Sequence, residues 1–96
     1  MRRIMLRILK ALADDTRLKI INFLEDGEKS VGDIQPHVGT TQSNISQHLR
    51  ILKDAELVDS RRKGKIVYYH ITNKKIFTFL DLLNKMAREN IEDMMD

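Results

Sequence analysis

The sequence predicts a mainly α-helical winged helix-turn-helix domain, with four helices, a two-stranded β-hairpin wing and a long fifth helix. Two short amphipathic segments flank the turn VGTT, which holds the glycine that such turns often need. The β-branched and aromatic run IVYYHI follows the basic segment SRRKGK, and two extended segments joined across Lys63-Gly64 form a hairpin. From about residue 73 to 94, apolar residues at helical spacing predict the last helix.

The first two helices are predicted from their apolar faces and from capping residues. The first has a wide apolar face, made of Ile4, Leu6, Ile8, Leu9 and Leu12. Asp14 or Asp15 is expected to cap the second helix, where a negative charge meets the positive end of the helix dipole. Gly27 is expected to end it. Its buried side is expected to comprise Leu18, Ile21, Phe23 and Leu24.

The two helices of the helix-turn-helix pair also have predicted boundaries. Ser30 is expected to cap the third helix, and Gly39 to end it. Pro36 falls in the first turns of that helix, where a missing N–H costs least. Thr40 or Thr41 is expected to cap the fourth helix, which runs to about residue 55. Its apolar positions recur four and three residues apart and predict a narrow buried stripe, Ile45, Leu49 and Leu52.

Length and composition favour one ordered domain spanning residues 1–96. The chain has no cysteine, which excludes disulfides and thiolate metal sites. No apolar run approaches the roughly 20 residues that span a bilayer, and the N-terminus has the pattern of an amphipathic helix. We therefore expect a cytoplasmic protein. No catalytic motif or gathered Ser–His–acid set is present, so no enzyme activity and no cofactor are expected.

The positive charge is unevenly distributed. The net charge of +3 comprises +6 over residues 1–87 and −3 over residues 88–96. Four of the six residues from 60 to 65 are basic. This distribution favours an anionic partner at the hairpin. The last helix has more apolar residues than one face needs, which suggests a second packing surface, most simply a copy of the same chain.

The exposed face of the fourth helix is polar but nearly uncharged. Amide side chains pair with adenine in the major groove, and serine bonds to several bases. The residues predicted to contact bases are Gln42, Ser43, Asn44 and Gln47. Those predicted to contact phosphates or flanks are Thr41, Ser46, His48 and Arg50, with packing the alternative role for His48. In the hairpin, the residues predicted to reach a minor groove or a phosphate ridge are Arg61, Arg62, Lys63 and Lys65.

Three ordered segments resemble the ArsR (arsenic-repressor, ArsR/SmtB) family. QSNISQHLRILKDAELV is similar to its recognition helix, KALADDTRLKIINFL to its opening, and RRKGKIVYYHI to its wing. The resemblance covers roughly residues 8 to 83 and implies a homodimer built from the first and last helices. It also implies a near-palindromic double-stranded DNA operator contacted in successive major grooves. The residues expected at the dimer contact are Ile4, Leu6, Leu9, Phe79, Leu83 and Met86.

The sequence departs from the metal-sensing pattern of that family. One family site uses C-V-C at the third helix, where this chain has Ser30-Val31-Gly32. A second uses Asp and His pairs on the last helix, which here has Asp81 but no histidine. We therefore expect no metal site, and the acidic end, Glu89, Glu92, Asp93 and Asp96, is expected to be solvated. The effector stays open.

Two other hypotheses are compatible with the sequence. A winged helix can dock a protein partner instead of DNA, and a monomer without DNA affinity would favour that function. An effector-independent DNA-binding protein, constitutive or architectural, would differ from a repressor only in its regulation.

Overall fold

A computed structural model describes residues 1–95 and confirms the predicted order of helices and hairpin. The helices are α1 (Arg2–Leu12), α2 (Asp15–Phe23), α3 (Val31–Val38), α4 (Gln42–Asp54) and α5 (Lys75–Met95). The strands are β1 (Lys29–Ser30), β2 (Val58–Lys63) and β3 (Ile66–Ile71). Asp96, which belongs to the acidic end expected to be solvated, lies outside the described residues.

Side-chain caps begin three of the helices. The Asp14 carboxylate accepts from the backbone N–H of Arg17 at the start of α2. Ser30 and Asp33 exchange side-chain and backbone bonds in a capping box at the start of α3. Thr41, rather than Thr40, caps α4. Each cap satisfies a backbone donor that the first turn of a helix leaves free.

The prediction for the end of α2 was wrong by a few residues. The helix ends at Phe23, with Leu24 as its cap. The backbone N–H groups of Leu24 and Glu25 donate to carbonyls three residues earlier, which is the pattern of a turn rather than of a continuing α-helix. Gly27 follows in the loop, with a φ of 145°. Gly39 does end α3 as predicted, in the left-handed conformation that glycine adopts without a steric penalty.

The core forms where α1–α4 and the start of β2 meet. The apolar stripe of α4, Ile45, Leu49 and Leu52, is fully buried, as its spacing predicted. Ile20 and Ile21 of α2 and Ile34 of α3 are also fully buried. Burying side chains of this size stabilises a fold by about 1.5–3 kcal/mol each. α4 is thus anchored along the face opposite its polar surface.

The sheet has three antiparallel strands in the order β1-β3-β2. Sequence reasoning gave two strands, because β1 has only two residues and owes its conformation to pairing with Tyr68 and Tyr69. Lys63 pairs with Ile66, so the turn residues are Gly64 and Lys65, one position later than predicted. Gly64 has a φ of 63°. The first central residue of a two-residue hairpin turn needs a positive φ, which glycine adopts without a steric penalty.

The end of α4 is tied to the start of α5. The N–H of Glu56 donates to Lys53 and that of Leu57 to Leu52, which closes α4 with a Schellman motif. Glu56 occupies the left-handed position of that motif, with a φ of 61°. Thr72, just before α5, donates its hydroxyl to the carbonyl of Glu56 at 2.6 Å. The end of α4 and the start of α5 therefore meet at one hydrogen-bonded junction.

Both terminal helices leave apolar side chains uncovered. All six residues expected at the dimer contact are exposed, with Phe79 at 42% and Ile4 at 57% of full accessibility. From residue 81 to 94, every position of α5 is exposed. The chain is elongated, 55 Å along its longest axis. No helix among residues 1–95 has the length and apolarity needed to cross a membrane.

Candidate nucleic-acid interface

One side of α4 presents four uncharged polar or hydroxyl side chains to solvent. Gln42, Ser43, Ser46 and Gln47 are all exposed, while Ile45 between them is buried. Because Ile45 and Leu49 hold the helix by its opposite face, these side chains project from a fixed backbone. The major groove of B-DNA is wide enough to admit an α-helix, so a surface of this kind can reach the edges of the bases.

Asn44 is less free than the other residues predicted to contact bases. It is half-buried, and its Oδ1 accepts from the Thr40 hydroxyl at 3.2 Å. Its backbone N–H donates to Thr41, the N-cap. This arrangement favours a role for Asn44 in joining the turn to α4. Thr41 itself is exposed at the positive end of the helix, where phosphate groups bind readily.

His48 lies in a polar network that joins three helices. Its Nδ1 is 3.1 Å from Nη1 of Arg17 and 3.8 Å from Oδ2 of Asp14. Because a guanidinium only donates, the His48 Nδ1 is the acceptor in a hydrogen bond between the two side chains. The His48 side chain is 16% exposed. This burial favours the packing role over a phosphate contact.

Arg17 extends the same network to the end of α1. Its Nε donates to the carbonyl of Ala11 at 2.6 Å, and its Nη2 donates to that of Lys10 at 3.2 Å. Asp14 sits beside it, and the bond from the Arg17 backbone N–H is the main cause that lowers the pKa of the Asp14 carboxyl. A single side chain thus connects α1, α2 and α4. Its bond to His48 is the one that reaches α4.

The basic residues of the hairpin divide between its two faces. Arg61 and Lys63 point to one side, and both donate to the carboxylate of Glu28, with Nη2 of Arg61 at 3.1 Å from Oε2. Hydrogen bonding from Lys63, then from Arg61, lowers the pKa of Glu28. Arg62 alternates to the opposite side of the strand. Within residues 1–95, Arg62 and Lys65 form no ion pair.

The wing is also joined to α4. Lys53 donates from Nζ to the Ser60 hydroxyl at 2.7 Å and lies 3.9 Å from the Asp59 carboxylate. Lys63 in addition lies over the ring of Tyr68, 5.3 Å from its centroid. The contacts of Lys53 join the C-terminal turn of α4 to the start of β2.

The sequence did not indicate the role of Glu28, and it marked Arg17 only as part of the segment that resembles the opening of the ArsR family. Glu28 is 33 residues from Arg61, and Arg17 is 31 residues from His48. No local pattern marks such pairs, since they arise only when β1 joins the sheet and α2 packs on α4. His37 is exposed and stacks on Phe23, with the two ring centroids 4.0 Å apart. Among residues 1–95 no three or more His, Cys, Asp or Glu residues cluster as metal ligands would.

Helix pair, turn, hairpin and an anchored polar helix together define a winged helix-turn-helix, the architecture of a DNA-binding transcriptional regulator. The family profile described as "Bacterial regulatory protein, arsR family" matches residues 14–60. The transcriptional repressor SdpR of Bacillus subtilis is 38% identical over 82 residues, which cover 81% of this chain and 91% of that protein. The chain therefore belongs to the arsR family of bacterial regulatory proteins.

Two further comparisons support this assignment. The transcriptional activator HlyU of Vibrio cholerae is 34% identical over 79 residues, covering 82% of this chain and 73% of HlyU. The homodimeric winged helix-turn-helix DNA-binding domain of Mb0332 from Mycobacterium bovis superposes with a TM-score of 0.82 at 33% identity. That superposition covers 95% of this chain and 84% of the Mb0332 chain. The predicted family and fold are confirmed.

Proposed function

We propose that the protein is a homodimeric repressor that binds a near-palindromic operator in double-stranded DNA. One observation carries this proposal: the first two turns of α4 expose Gln42, Ser43 and Gln47 and carry no Lys, Arg, Asp or Glu, while the opposite face of the helix is buried in the core. Such a face suits hydrogen bonding to base edges. SdpR is named a repressor and Mb0332 a homodimer, and both resemble this chain closely enough to support the same arrangement here.

The dimer would place two α4 helices on one side of a duplex. Its apolar contact would use the exposed side chains of α1 and α5, including Leu9, Phe79, Leu83 and Met86. The two reading helices would enter successive major grooves about 34–36 Å apart. Arg62 and Lys65 of each hairpin would contact the flanking phosphates or the minor groove, as would Arg50 at the edge of α4.

This function needs neither a catalytic group nor a bound cofactor, and we expect neither in the single domain of residues 1–96. Because the proposed ligand is chromosomal DNA, we expect the protein to act in the cytoplasm. The protein would repress by occupying a promoter. HlyU, which is an activator, shows that relatives also use this fold to switch genes on, so reporter assays must accompany binding assays.

Fluorescence anisotropy with the DNA upstream of the protein's own gene tests the proposal. We expect dissociation constants of about 10⁻⁸ M or tighter at one dyad site at physiological salt, with weakening on a scrambled sequence of equal length. Light scattering should give twice the chain mass. Weak binding of equal strength to every sequence would contradict the proposal, and a monomer without DNA affinity would favour a protein-docking module.

A further inference from the structure

A cavity of about 690 Å³ lies between α1 and the C-terminal half of α4. Most of its charged lining is basic: Arg3, Arg7 and Lys10 come from α1, and Arg17 comes from α2. Asp54 of α4 is the one acidic residue in the lining. Ligand cavities in proteins commonly measure about 300–1,000 Å³. The volume and the charge of this cavity therefore suit a small anionic ligand.

The three basic residues of α1 form a basic stripe that is unfavourable for the helix itself. Arg3, Arg7 and Lys10 follow each other at intervals of four and three residues, so their side chains lie along one side of α1 and repel one another. Arg3 also lies in the first turn, which has no acidic residue and where the helix dipole disfavours a cation. Among residues 1–95, no ion pair includes any of the three. The basic stripe is therefore available to an anion from outside the chain.

The rest of the lining is apolar, apart from one carboxylate. Leu6 and Ile51 are 47% and 42% exposed, and both line the cavity together with the buried Ala11. Exposed aliphatic side chains gain from contact with a flat apolar ring. Asp54 is exposed and has no ion pair within residues 1–95, so its carboxylate can accept from a hydroxyl or amino group. A ligand that satisfies the whole lining has phosphate groups, a flat ring and a hydrogen-bond donor.

We propose that this cavity binds a nucleotide. Its phosphates would contact the basic stripe, where a guanidinium can donate two parallel hydrogen bonds to phosphate oxygens. Its base would pack on Leu6 and Ile51, and a ribose hydroxyl or a base amino group would donate to Asp54. The backbone of DNA is a second source of phosphate groups, but Asp54 would repel it and the apolar lining would gain nothing from it. The lining as a whole therefore favours the nucleotide.

Arg17 connects the cavity to α4. Three of the five N–H groups of its guanidinium bond to the Ala11 carbonyl, the Lys10 carbonyl and the His48 ring. A phosphate bound beside Arg17 would compete for this guanidinium with His48, which lies on α4. Nucleotide binding should therefore weaken binding to an operator. This regulatory effect rests on the proposed function, whereas the binding site itself does not.

Isothermal titration calorimetry of the full chain with ADP tests the site without DNA. Pyrophosphate and adenosine, titrated separately, represent the two halves of ADP. Arg7→Gln removes the central cation of the basic stripe, whereas Arg2→Gln removes the same charge from the same helix at a position that does not line the cavity. Both residues are exposed and have no ion pair within residues 1–95, so both variants should keep the native circular dichroism spectrum.

We expect ADP to bind about tenfold more tightly than pyrophosphate, and adenosine to bind more weakly than either. Arg7→Gln should weaken ADP binding about tenfold, and Arg2→Gln should weaken it by less than about twofold. Equal losses in the two variants would indicate general attraction to a basic protein and would overturn the site. Equal affinities for ADP and pyrophosphate, or no binding of ADP, would also overturn it.

Fluorescence anisotropy with operator DNA separates the two sources of phosphate. Saturating ADP should weaken operator binding by the native chain several-fold, and by Arg7→Gln much less. If Arg7→Gln alone weakens DNA binding and flattens the salt slope while Arg2→Gln does not, the basic stripe contacts the DNA backbone and the nucleotide site is refuted. An operator affinity that is unchanged by bound ADP would refute the coupling through Arg17. A chain that binds ADP but no DNA would instead refute the proposed function and leave the site in place.

Discussion

The Glu28 carboxylate lies 3.1 Å from the Arg61 guanidinium, although the two residues are 33 positions apart. Lys63 donates to the same carboxylate. A carboxylate that accepts from two cations uses donors that could otherwise bind a phosphate oxygen. The hairpin therefore has an internal competitor for two of the four cations that the sequence assigns to DNA contact.

Replacement of Glu28 by Gln should strengthen binding to DNA of any sequence. Arg61 and Lys63 would then be available to phosphates, and each added phosphate contact steepens the dependence of log K on log salt by about 0.9. Anisotropy titrations at several salt concentrations on operator and scrambled DNA measure this slope. Glu25→Gln, at an exposed loop position, is the matched control. Weaker binding by Glu28→Gln would show instead that Glu28 positions the hairpin for DNA.

Gln47→Ala and Arg62→Ala should weaken DNA binding in different ways. Loss of a base contact at Gln47 should cost about 1–3 kcal/mol at the best site and little on scrambled DNA. Loss of a phosphate contact at Arg62 should weaken binding to all sequences alike and flatten the salt slope by about 0.9. The same titrations distinguish the two. An unchanged slope for Arg62→Ala would remove that residue from the DNA contact.

Acid should remove the contribution of Asp14 to stability. The folded state lowers the pKa of this carboxyl, chiefly through the bond from the Arg17 N–H. The stabilisation is therefore complete above the ordinary aspartate pKa and is lost as the pH falls through the lowered folded-state pKa. Urea denaturation between pH 7 and 2 should show the native chain losing this advantage over Asp14→Asn below about pH 4.

Asp14→Ala serves as the second variant, because it removes the cap acceptor at every pH. We expect it to cost about 1 kcal/mol at pH 7, whereas Asp14→Asn retains an oxygen that caps the helix. A difference between native and Asp14→Asn chains that does not change with pH would contradict the assignment.

Glu56→Gly should stabilise the fold. Glu56 has a φ of 61°, in the left-handed region that costs residues other than glycine roughly 1–2 kcal/mol. Part of that gain is offset by the greater freedom of glycine in the unfolded chain, so we expect about 0.5–1 kcal/mol, or a few degrees in Tm. Glu25→Gly is the control, since residue 25 is exposed and its φ is not positive. A fall in Tm for Glu56→Gly would show that its side chain stabilises the junction.

Local signals in the sequence were sufficient for the order of the helices and for where α2, α3 and α4 begin. Ser30 caps α3 as expected, and Asp14 and Thr41 are each one of the two residues expected to cap α2 and α4, because a cap depends on only three or four consecutive residues. The buried stripe of α4 follows from its helical period, as does the exposed polar face opposite it. Those features define the fold and the proposed DNA surface.

Contacts between distant segments were beyond sequence reasoning. Lys29 and Ser30 become a strand only by pairing with Tyr69 and Tyr68. That pairing also brings Glu28 to the hairpin, where it neutralises part of a basic run that the sequence shows as uniformly available. The role of His48 likewise depends on Arg17 from another helix. In each case the partner is supplied by tertiary packing.

The hydrogen bond from Thr72 to the carbonyl of Glu56 joins the end of α4 to the start of α5. A small rotation of one α5 against its counterpart would therefore also move α4 and the hairpin of the same chain. The separation of the two α4 helices across a duplex would change accordingly. A molecule that wedges the α5 helices apart could then release DNA without touching any residue that contacts it.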